Sequence, residues 1–312
     1  MTFDAAYDRE PDDDAAALRR ALARAISAAW RGSAFFGRDR ADPETVRLAT
    51  ERARRLLILA GRGRRVAEAE GDEELLHATG ATRNFANAYI VMTTPTTWNG
   101  RPAPVPSGTV IGNQLRALGM DGFCATEGYE LDLAGVPVLP GFDDEDDDGD
   151  EPGTSELLAM LTTGRLGAYR VAAQPADAVV EAQLRKFLPY LASCIGSYRR
   201  WAGFFADPDG FDEGFDRARL QEQAGHLVVY TQQRALALLG IGAPVEALLA
   251  TVVLGLTAES LFLASTAADG DELRRLPLLT QTELDFQLAA SGVGAWLGEQ
   301  AELLGEAEPG AA

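Results

Sequence analysis

Two glutamate–histidine pairs are the part of this sequence whose residue types and spacing are best suited to chemistry. Glu74 and His77 have the E-x-x-H spacing, Glu222 and His226 are four residues apart, and the chain has no other histidine. Residues three or four positions apart share one face of an α-helix, so each pair can direct a carboxylate and an imidazole at one metal ion. The pairs therefore favour a helical metal-carboxylate site, provided that their helices meet.

The helical pattern around each pair supports a second interpretation, in which both histidines are surface or boundary residues. At 100° per residue, His226 lies roughly 140° from the centre of the apolar stripe on its own helix. His77 lies on the flank of its stripe, and only Glu74 points inward. A di-metal bundle site also requires a second E-x-x-H motif, whose spacing Glu222 and His226 do not have. We therefore expect no stoichiometric metal and no cofactor, and keep these four residues as metal ligands only for an alternative function, an enzyme.

A second candidate site is the tip formed by Trp98, Asn99, Gly100 and Arg101. An Asn-Gly dipeptide is typical of a tight hairpin turn. Turns that expose an aromatic residue next to an arginine often contact partners. Trp98, Asn99 and Arg101 are thus predicted to bind a partner, and the alternative is that Trp98 covers the helices.

An arginine-rich segment and a lone cysteine are two further candidates for functional residues. The segment contains Arg47, Arg52, Arg54, Arg55, Arg62, Arg64 and Arg65. Because the chain is otherwise acidic and no aromatic residues alternate with these arginines, we expect them to pair with the protein's own carboxylates, or with the acidic face of a partner, rather than with nucleic acid. Cys124 has no histidine near it in the sequence, so it is predicted to be a buried structural residue.

Composition limits the classes of function. The chain has 312 residues and a formal net charge of −19, which repels nucleic acid and anionic membranes. Its most apolar segment has no charge-free run longer than the 12 residues 247–258, and a membrane span needs roughly 20. The acidic N-terminus has no apolar core typical of a signal peptide. The sequence predicts a cytoplasmic, soluble protein without a membrane span.

The elements that position these residues are mostly helices. In the N-terminal portion, 1–92, apolar periodicity predicts helices over 13–36, from Asp42 onward, and over about 72–92. Asp42 followed by Pro43 and Glu44 is a pattern typical of a helix N-terminus. The Gly-Arg-Gly sequence at 61–63 is expected to end or interrupt the second helix.

The periodicity is lost in residues 93–153. Within this region the sequence predicts a short helix at 109–118. It also predicts a half-buried strand at 129–133, where Leu and Tyr alternate with acidic residues. It ends in the acidic run 143–150, which has too little apolar surface to be ordered and is expected to be a solvated linker. Residues 93–153 are therefore predicted to be an irregular, partly β insertion.

Helical periodicity returns in the C-terminal portion, 154–312. Pro189 is expected to kink or divide the first of these helices. The apolar third helix is expected to form the centre of a bundle, and Thr280 with Glu283 predicts a capping box at the start of the last helix. The predicted helices cover 177–206, 214–239, 243–267 and the region after 280.

The predicted fold class is therefore mainly α, with a helical-bundle architecture and the irregular, partly β insertion between its two helical portions. The sequence contains no P-loop, dinucleotide-binding glycine motif, nucleophile elbow or zinc-spaced cysteine set. We favour an interaction or assembly protein, such as an adaptor, a chaperone-like factor or a complex component, that binds a protein partner or self-associates. The alternative is an enzyme with a helical metal-carboxylate and histidine site.

Overall fold

The computed structural model describes residues 14–94, 97–98, 101–102, 105–139, 178–211, 215–239 and 241–306. Across these residues the chain is mainly helical, which confirms the predicted fold class at that level. The helices are α1 (Ala15–Arg31), α2 (Pro43–Glu70), α3 (Glu73–Thr93), α4 (Gly108–Ala117), α5 (Met120–Thr126), α6 (Ala178–Ala206), α7 (Arg217–Leu239), α8 (Val245–Ser265), α9 (Gly270–Arg275), α10 (Gln281–Ala290) and α11 (Val293–Glu306). A short 3-10 helix, Ser33–Gly37, follows α1.

Local sequence signals mark the helix ends as predicted. Asp42 is the N-cap of α2, where its carboxylate accepts a hydrogen bond from the Thr45 amide, and Pro43 is the first helical residue. Thr280 and Glu283 form the predicted capping box at the start of α10, although the single last helix predicted there is divided into α10 and α11. Each cap satisfies backbone N–H groups that a helix cannot satisfy internally.

The glycines at 61 and 63 do not interrupt α2, contrary to the sequence-based expectation. The helix runs without a break through both positions. A Cβ at Gly61 would lie 2.9 Å from the ring of Pro277, and one at Gly63 would lie 2.8 Å from Leu22 and 2.9 Å from Thr79. These glycines therefore allow α1, α3 and the segment before α10 to approach α2 closely. The lower helix propensity of glycine is outweighed by this packing.

The prediction of a partly β insertion is wrong for the part of it that the structure describes, apart from one minimal pair. Thr97–Trp98 (β1) pairs antiparallel with Arg101–Pro102 (β2), two residues on each side. The predicted strand 129–133 is not a strand, although Leu131 and Leu133 are buried and Glu130 and Asp132 are exposed as expected. The acidic run 143–150 lies outside the described residues.

The segment 129–133 is held by side chains of α1 rather than by a neighbouring strand. The hydroxyl of Ser27 donates a hydrogen bond to the carbonyl of Glu130. The indole of Trp30 donates to the carbonyl of Asp132 at 2.8 Å. Alternating burial therefore arose without sheet pairing, because side chains satisfied the backbone acceptors that a strand partner would have used.

Helix α8 is the core helix that the sequence predicted. It is long and apolar enough to cross a membrane, but its apolar window is entirely buried inside the protein. Helices α6, α7, α10 and α11 pack against it, and so does α2. Helix α6 is continuous through Pro189, so the helix is not divided there.

The N-terminal and C-terminal helical portions share one packed interior. Helices α2 and α3 form an antiparallel hairpin, with Gly63 against Thr79 near one end and Arg52 hydrogen-bonded to Tyr89 near the other. The C-terminal end of this hairpin meets α7, where Thr94 lies directly against Gly225. Helix α3 therefore lies between α2 and the C-terminal helices, and its polar residues can reach both.

Candidate functional site

The structure does not bring the two glutamate–histidine pairs together. Glu74 and His77 are in the first turns of α3, whereas His226 follows Gly225, which contacts Thr94 just after the end of the same helix. The 17 residues from His77 to Thr94 correspond to roughly 26 Å of helix. Among the described residues, no three His, Cys, Asp or Glu side chains are grouped so that they could hold a metal ion.

Each member of these pairs has its own environment. Glu74 forms an ion pair with Arg19 of α1, which also binds Asp72 at 2.7 Å. His77 is half-buried, and this burial lowers the pKa of its imidazole against the opposing effect of two neighbouring glutamates. Glu222 and His226 are both exposed, as the helical pattern of α7 predicted for His226.

The described backbone of the predicted partner-binding tip is an antiparallel pair. The backbones of Trp98 and Arg101 face each other across the β1–β2 pair, with two residues between them, as a hairpin requires. Asn99 lies outside the described residues, and so do the side chains of Trp98 and Arg101. Partner binding by Trp98, Asn99 and Arg101 stays a prediction.

The arginine-rich segment pairs with the protein's own carboxylates, as expected. Arg47 and Arg55 bind glutamates on α2 itself, while Arg54 reaches Glu272 of α9. Arg65 binds Glu283 of α10 at 2.9 Å. Most of this positive charge is therefore neutralised within the fold.

Cys124 is a buried structural residue, as predicted. Its thiol is fully buried and donates a long hydrogen bond, 3.6 Å, to the carbonyl of Ala23. Burial raises the pKa of this thiol to about 12, so it is not a thiolate nucleophile at neutral pH.

A buried ion pair that the sequence analysis did not identify lies near the middle of the molecule. Arg83 of α3 binds Glu259 of α8 through two hydrogen bonds, from Nε at 2.6 Å and from Nη2 at 3.0 Å. The two side chains are only 10% and 7% exposed. Burial removes the water that would otherwise hydrate each charge. The ion pair and its hydrogen bonds compensate for that loss, and either charge alone would be strongly destabilising.

Asn87, one turn after Arg83, completes this cluster and is left with an unused acceptor. Its Nδ2 donates a hydrogen bond of 2.8 Å to Glu259, which fixes the orientation of the amide. The opposite atom, Oδ1, is buried, and within the described part of the chain it is the one buried side-chain N or O atom without a hydrogen-bond partner. Buried acceptors in folded proteins are nearly always satisfied by protein, water or ligand.

Arg83 and Asn87 line a cavity of about 420 Å³ between α3, α4, α7 and α8, which we call the central cavity. Its walls combine aliphatic residues with side-chain amides and hydroxyls. The aliphatic residues include Val105, Val110, Ile111, Val229, Leu236 and Val252. The polar ones include Asn84, Asn87, Gln114, Thr231, Gln232 and Gln233. This size and mixture are typical of sites for small organic molecules.

The chemistry available in the central cavity favours binding over proton transfer. Of its described lining residues, Arg83 alone is charged, and its guanidinium is bound by Glu259. Amides and hydroxyls donate and accept hydrogen bonds but do not exchange protons near neutral pH, as a general acid or base must.

Arg83 also lines a second cavity, of about 280 Å³. This lateral cavity lies between α2, α8 and α10, and it contains Arg64, Glu68, Glu259, Glu283 and Gln287 among its lining residues. Arg83 thus lines both cavities, whose linings otherwise differ, and Glu259 lines the lateral one.

Two signals in the sequence point to these residues in retrospect. Glu259 is the one charged residue in the apolar stretch 247–268, and Arg83 is the one charged residue of α3 after His77. A charge inside an apolar helix needs a partner of opposite sign, so the two positions are candidates for each other. The helical periodicity of the sequence does not show that Arg83 and Glu259 contact each other.

Comparison with known proteins identifies no relatives. No protein-family model matches the chain, and neither the curated proteins nor the solved structures include a significant match to it. The function is therefore proposed from the geometry.

Proposed function

We propose that the protein binds a small, uncharged organic molecule of mixed polarity in the central cavity. The observation that carries this proposal is the unsatisfied Oδ1 of Asn87, a buried acceptor on a residue that lines the cavity. Leaving a buried acceptor without a hydrogen-bond partner costs about 1–3 kcal/mol of stability. A donor that binds Oδ1 would recover this free energy. Oδ1 itself is closed off from solvent, so the Asn87 amide would have to turn toward the cavity when a ligand binds. An N–H or O–H group of the ligand, or a water that accompanies it, would then supply that donor.

The walls of the cavity define the rest of the ligand's chemistry. Aliphatic side chains from three helices favour an apolar ring or short chain, because its burial is worth roughly 25 cal/mol per Å². The amides and hydroxyls favour neutral hydrogen-bonding groups over ions, since no described lining residue besides Arg83 offers charge compensation. A compact amide, lactam or alcohol fits both requirements.

Two lactams that differ in one hydrogen-bond donor test the proposal. δ-Valerolactam has an N–H group, and N-methyl-δ-valerolactam lacks it. We expect the first to shift the amide NMR resonances of residues around the central cavity at lower concentration than the second. Equal effects of the two lactams, or no shifts at the cavity, would contradict the proposal.

A pair of variants locates the effect at Asn87. Asn87→Leu should abolish the difference between the two lactams because it removes the acceptor. Gln232→Leu is the matched control, since it replaces another amide of the same cavity without touching the Asn87–Glu259 contact. The preference for the N–H lactam should survive in that control.

The interaction or assembly role is a second candidate, and one exposed residue favours it. Leu236 lines the central cavity and is 71% exposed, a large apolar side chain in water at the rim of a cavity. A partner protein or a second copy of the chain would cover it. If so, light scattering should show a complex that Leu236→Asp dissociates, while Val138→Asp, at an exposed valine outside the cavity lining, has no effect.

A further inference from the structure

Arg64 of α2 has donors that face the lateral cavity. The residue is only 9% exposed, and its Nε donates a 2.8 Å hydrogen bond to Glu68 one turn later. Within the part of the chain that the structure describes, no acceptor binds its Nη1 or Nη2. These nitrogens are not among the buried unpartnered atoms of that part, so they are accessible, and Arg64 lines the cavity. Four N–H donors of one buried guanidinium are thus available to a ligand.

The carboxylates around the same cavity are already engaged. Glu259 binds Arg83 and Asn87, and Glu68 accepts hydrogen bonds from Arg64 and Gln287. Glu283 binds Arg65 and also caps α10 through the Thr280 amide. These carboxylates already accept hydrogen bonds from the protein, whereas Nη1 and Nη2 of Arg64 are unused, so the group that complements these two nitrogens is an acceptor.

The remaining walls are apolar. Leu57, Leu256, Leu263 and Leu278 line the cavity next to these polar groups. Phe286 of α10 also lines it, and this phenylalanine is 60% exposed. A ligand with a short apolar chain would cover part of its ring.

We propose that the lateral cavity is a second binding site, for a small carboxylate with an apolar chain, whose head group binds Nη1 and Nη2 of Arg64. The end of a guanidinium and a carboxylate form two parallel hydrogen bonds with matching geometry. The net charge of −19 repels anions at long range, but salt screens this repulsion beyond about 8–10 Å. This site is separate from the central cavity and does not depend on the function proposed for it.

Calorimetric titration with hexanoate and hexanamide tests the carboxylate requirement. The two compounds have the same chain and differ in charge and in the second acceptor oxygen. We expect hexanoate to bind at least about tenfold more tightly than hexanamide. The proposal fails if hexanoate does not bind, or if the two compounds bind equally.

Variants of α2 and α10 test the location. Arg64→Lys keeps the positive charge and a side chain long enough to contact Glu68, but it loses the planar guanidinium with its paired N–H donors. The affinity for hexanoate should therefore fall about tenfold or more. Arg55→Lys is the matched control, because Arg55 is also on α2, pairs with a glutamate four residues away and does not line the cavity. Its hexanoate affinity should be unchanged.

A surface variant keeps the test valid if Arg64→Lys does not fold. Phe286→Ala changes an exposed residue and should leave the circular dichroism spectrum unaltered. It should weaken hexanoate several-fold, because the chain loses its contact with the ring, and should weaken acetate less. Unchanged affinity for hexanoate in Phe286→Ala would place the binding elsewhere and overturn the proposal.

Discussion

The carboxylate of Glu259 accepts hydrogen bonds from the guanidinium of Arg83 with both oxygens, across 176 positions of sequence, and Arg83 lines both cavities. The contact joins α3 to the core helix α8 and also orients Asn87, whose amide binds the same carboxylate. The geometry of both cavities therefore depends on one buried pair. Because Arg83 lines both cavities, a movement of its side chain would change the wall of each.

Breaking this ion pair should destabilise the protein strongly. Glu259→Gln leaves the buried Arg83 charge without a carboxylate, and we expect a loss of about 3–5 kcal/mol in the free energy of unfolding, measured by urea denaturation. The double variant Arg83→Met/Glu259→Leu should lose less, because it leaves no unpaired charge.

An exposed pair provides the control for that measurement. Glu181 and Arg185 form a helical ion pair in which both side chains are more than half exposed. Glu181→Gln should change the free energy of unfolding by less than about 1 kcal/mol. A similarly small loss for Glu259→Gln would show that Arg83 is stabilised in another way.

Replacing Asn87 by leucine should cost little stability, although the residue is part of the buried cluster. The change removes one hydrogen bond to Glu259 but also removes the unsatisfied Oδ1, and these effects are of similar size and opposite sign. We expect a change within about 1 kcal/mol in the free energy of unfolding.

Asn113 is the matched case of a buried asparagine with all its groups satisfied. Its Nδ2 donates to the carbonyls of Thr109 and Pro137, and its Oδ1 accepts from Arg116 and from the Leu139 amide. Asn113→Leu should cost more than about 2 kcal/mol, because several buried groups lose their partners. If Asn87→Leu proves as costly as Asn113→Leu, Asn87 is a structural residue and the binding proposal loses its main support.

Acid should weaken the junction between α1 and α3 through Asp72. Burial raises the pKa of this carboxyl, but hydrogen bonds from the Leu75 amide and Arg19 outweigh that effect and hold the pKa below its ordinary value. Because the folded pKa is lower than the unfolded value of about 3.9, the contribution of Asp72 is complete above that value and is lost as pH falls through the folded pKa.

Asp72→Asn isolates this contribution, since asparagine caps a helix equally well but does not titrate. Below about pH 4 the urea midpoint of the wild-type protein should fall more steeply with decreasing pH than that of the variant. Parallel curves would mean that other carboxylates dominate the acid response.

The separation of the two glutamate–histidine pairs predicts ordinary behaviour for His226. The residue is exposed, so His226→Ala should change the free energy of unfolding by no more than about 0.5 kcal/mol. Elemental analysis of the purified protein should show the same metal content with and without the substitution. Retention of one or two metal equivalents that are lost on mutating either histidine would favour the enzyme hypothesis instead.

The sequence by itself determined the features that depend on neighbouring residues. Helix ends at Asp42 and Thr280 follow from caps a few residues long, and the burial of α8 follows from an apolar surface on all sides. The alternation in 129–133 correctly predicted which side chains are buried. It did not predict what binds the backbone there, because a period of two specifies faces and not hydrogen-bond partners.

Tertiary structure decided everything that depends on how distant segments meet. The sequence alone suggests that Gly61 and Gly63 break the helix. In the folded protein, Pro277 and Leu22 occupy the space that a side chain at these two positions would fill. The histidine pairs share a favourable local spacing, but the length of α3 keeps them apart. The two cavities are gaps between helices, and their volume and lining arise only when these helices pack. A lone glutamate in an apolar helix shows that a partner must exist, and only the packed structure identifies it as Arg83.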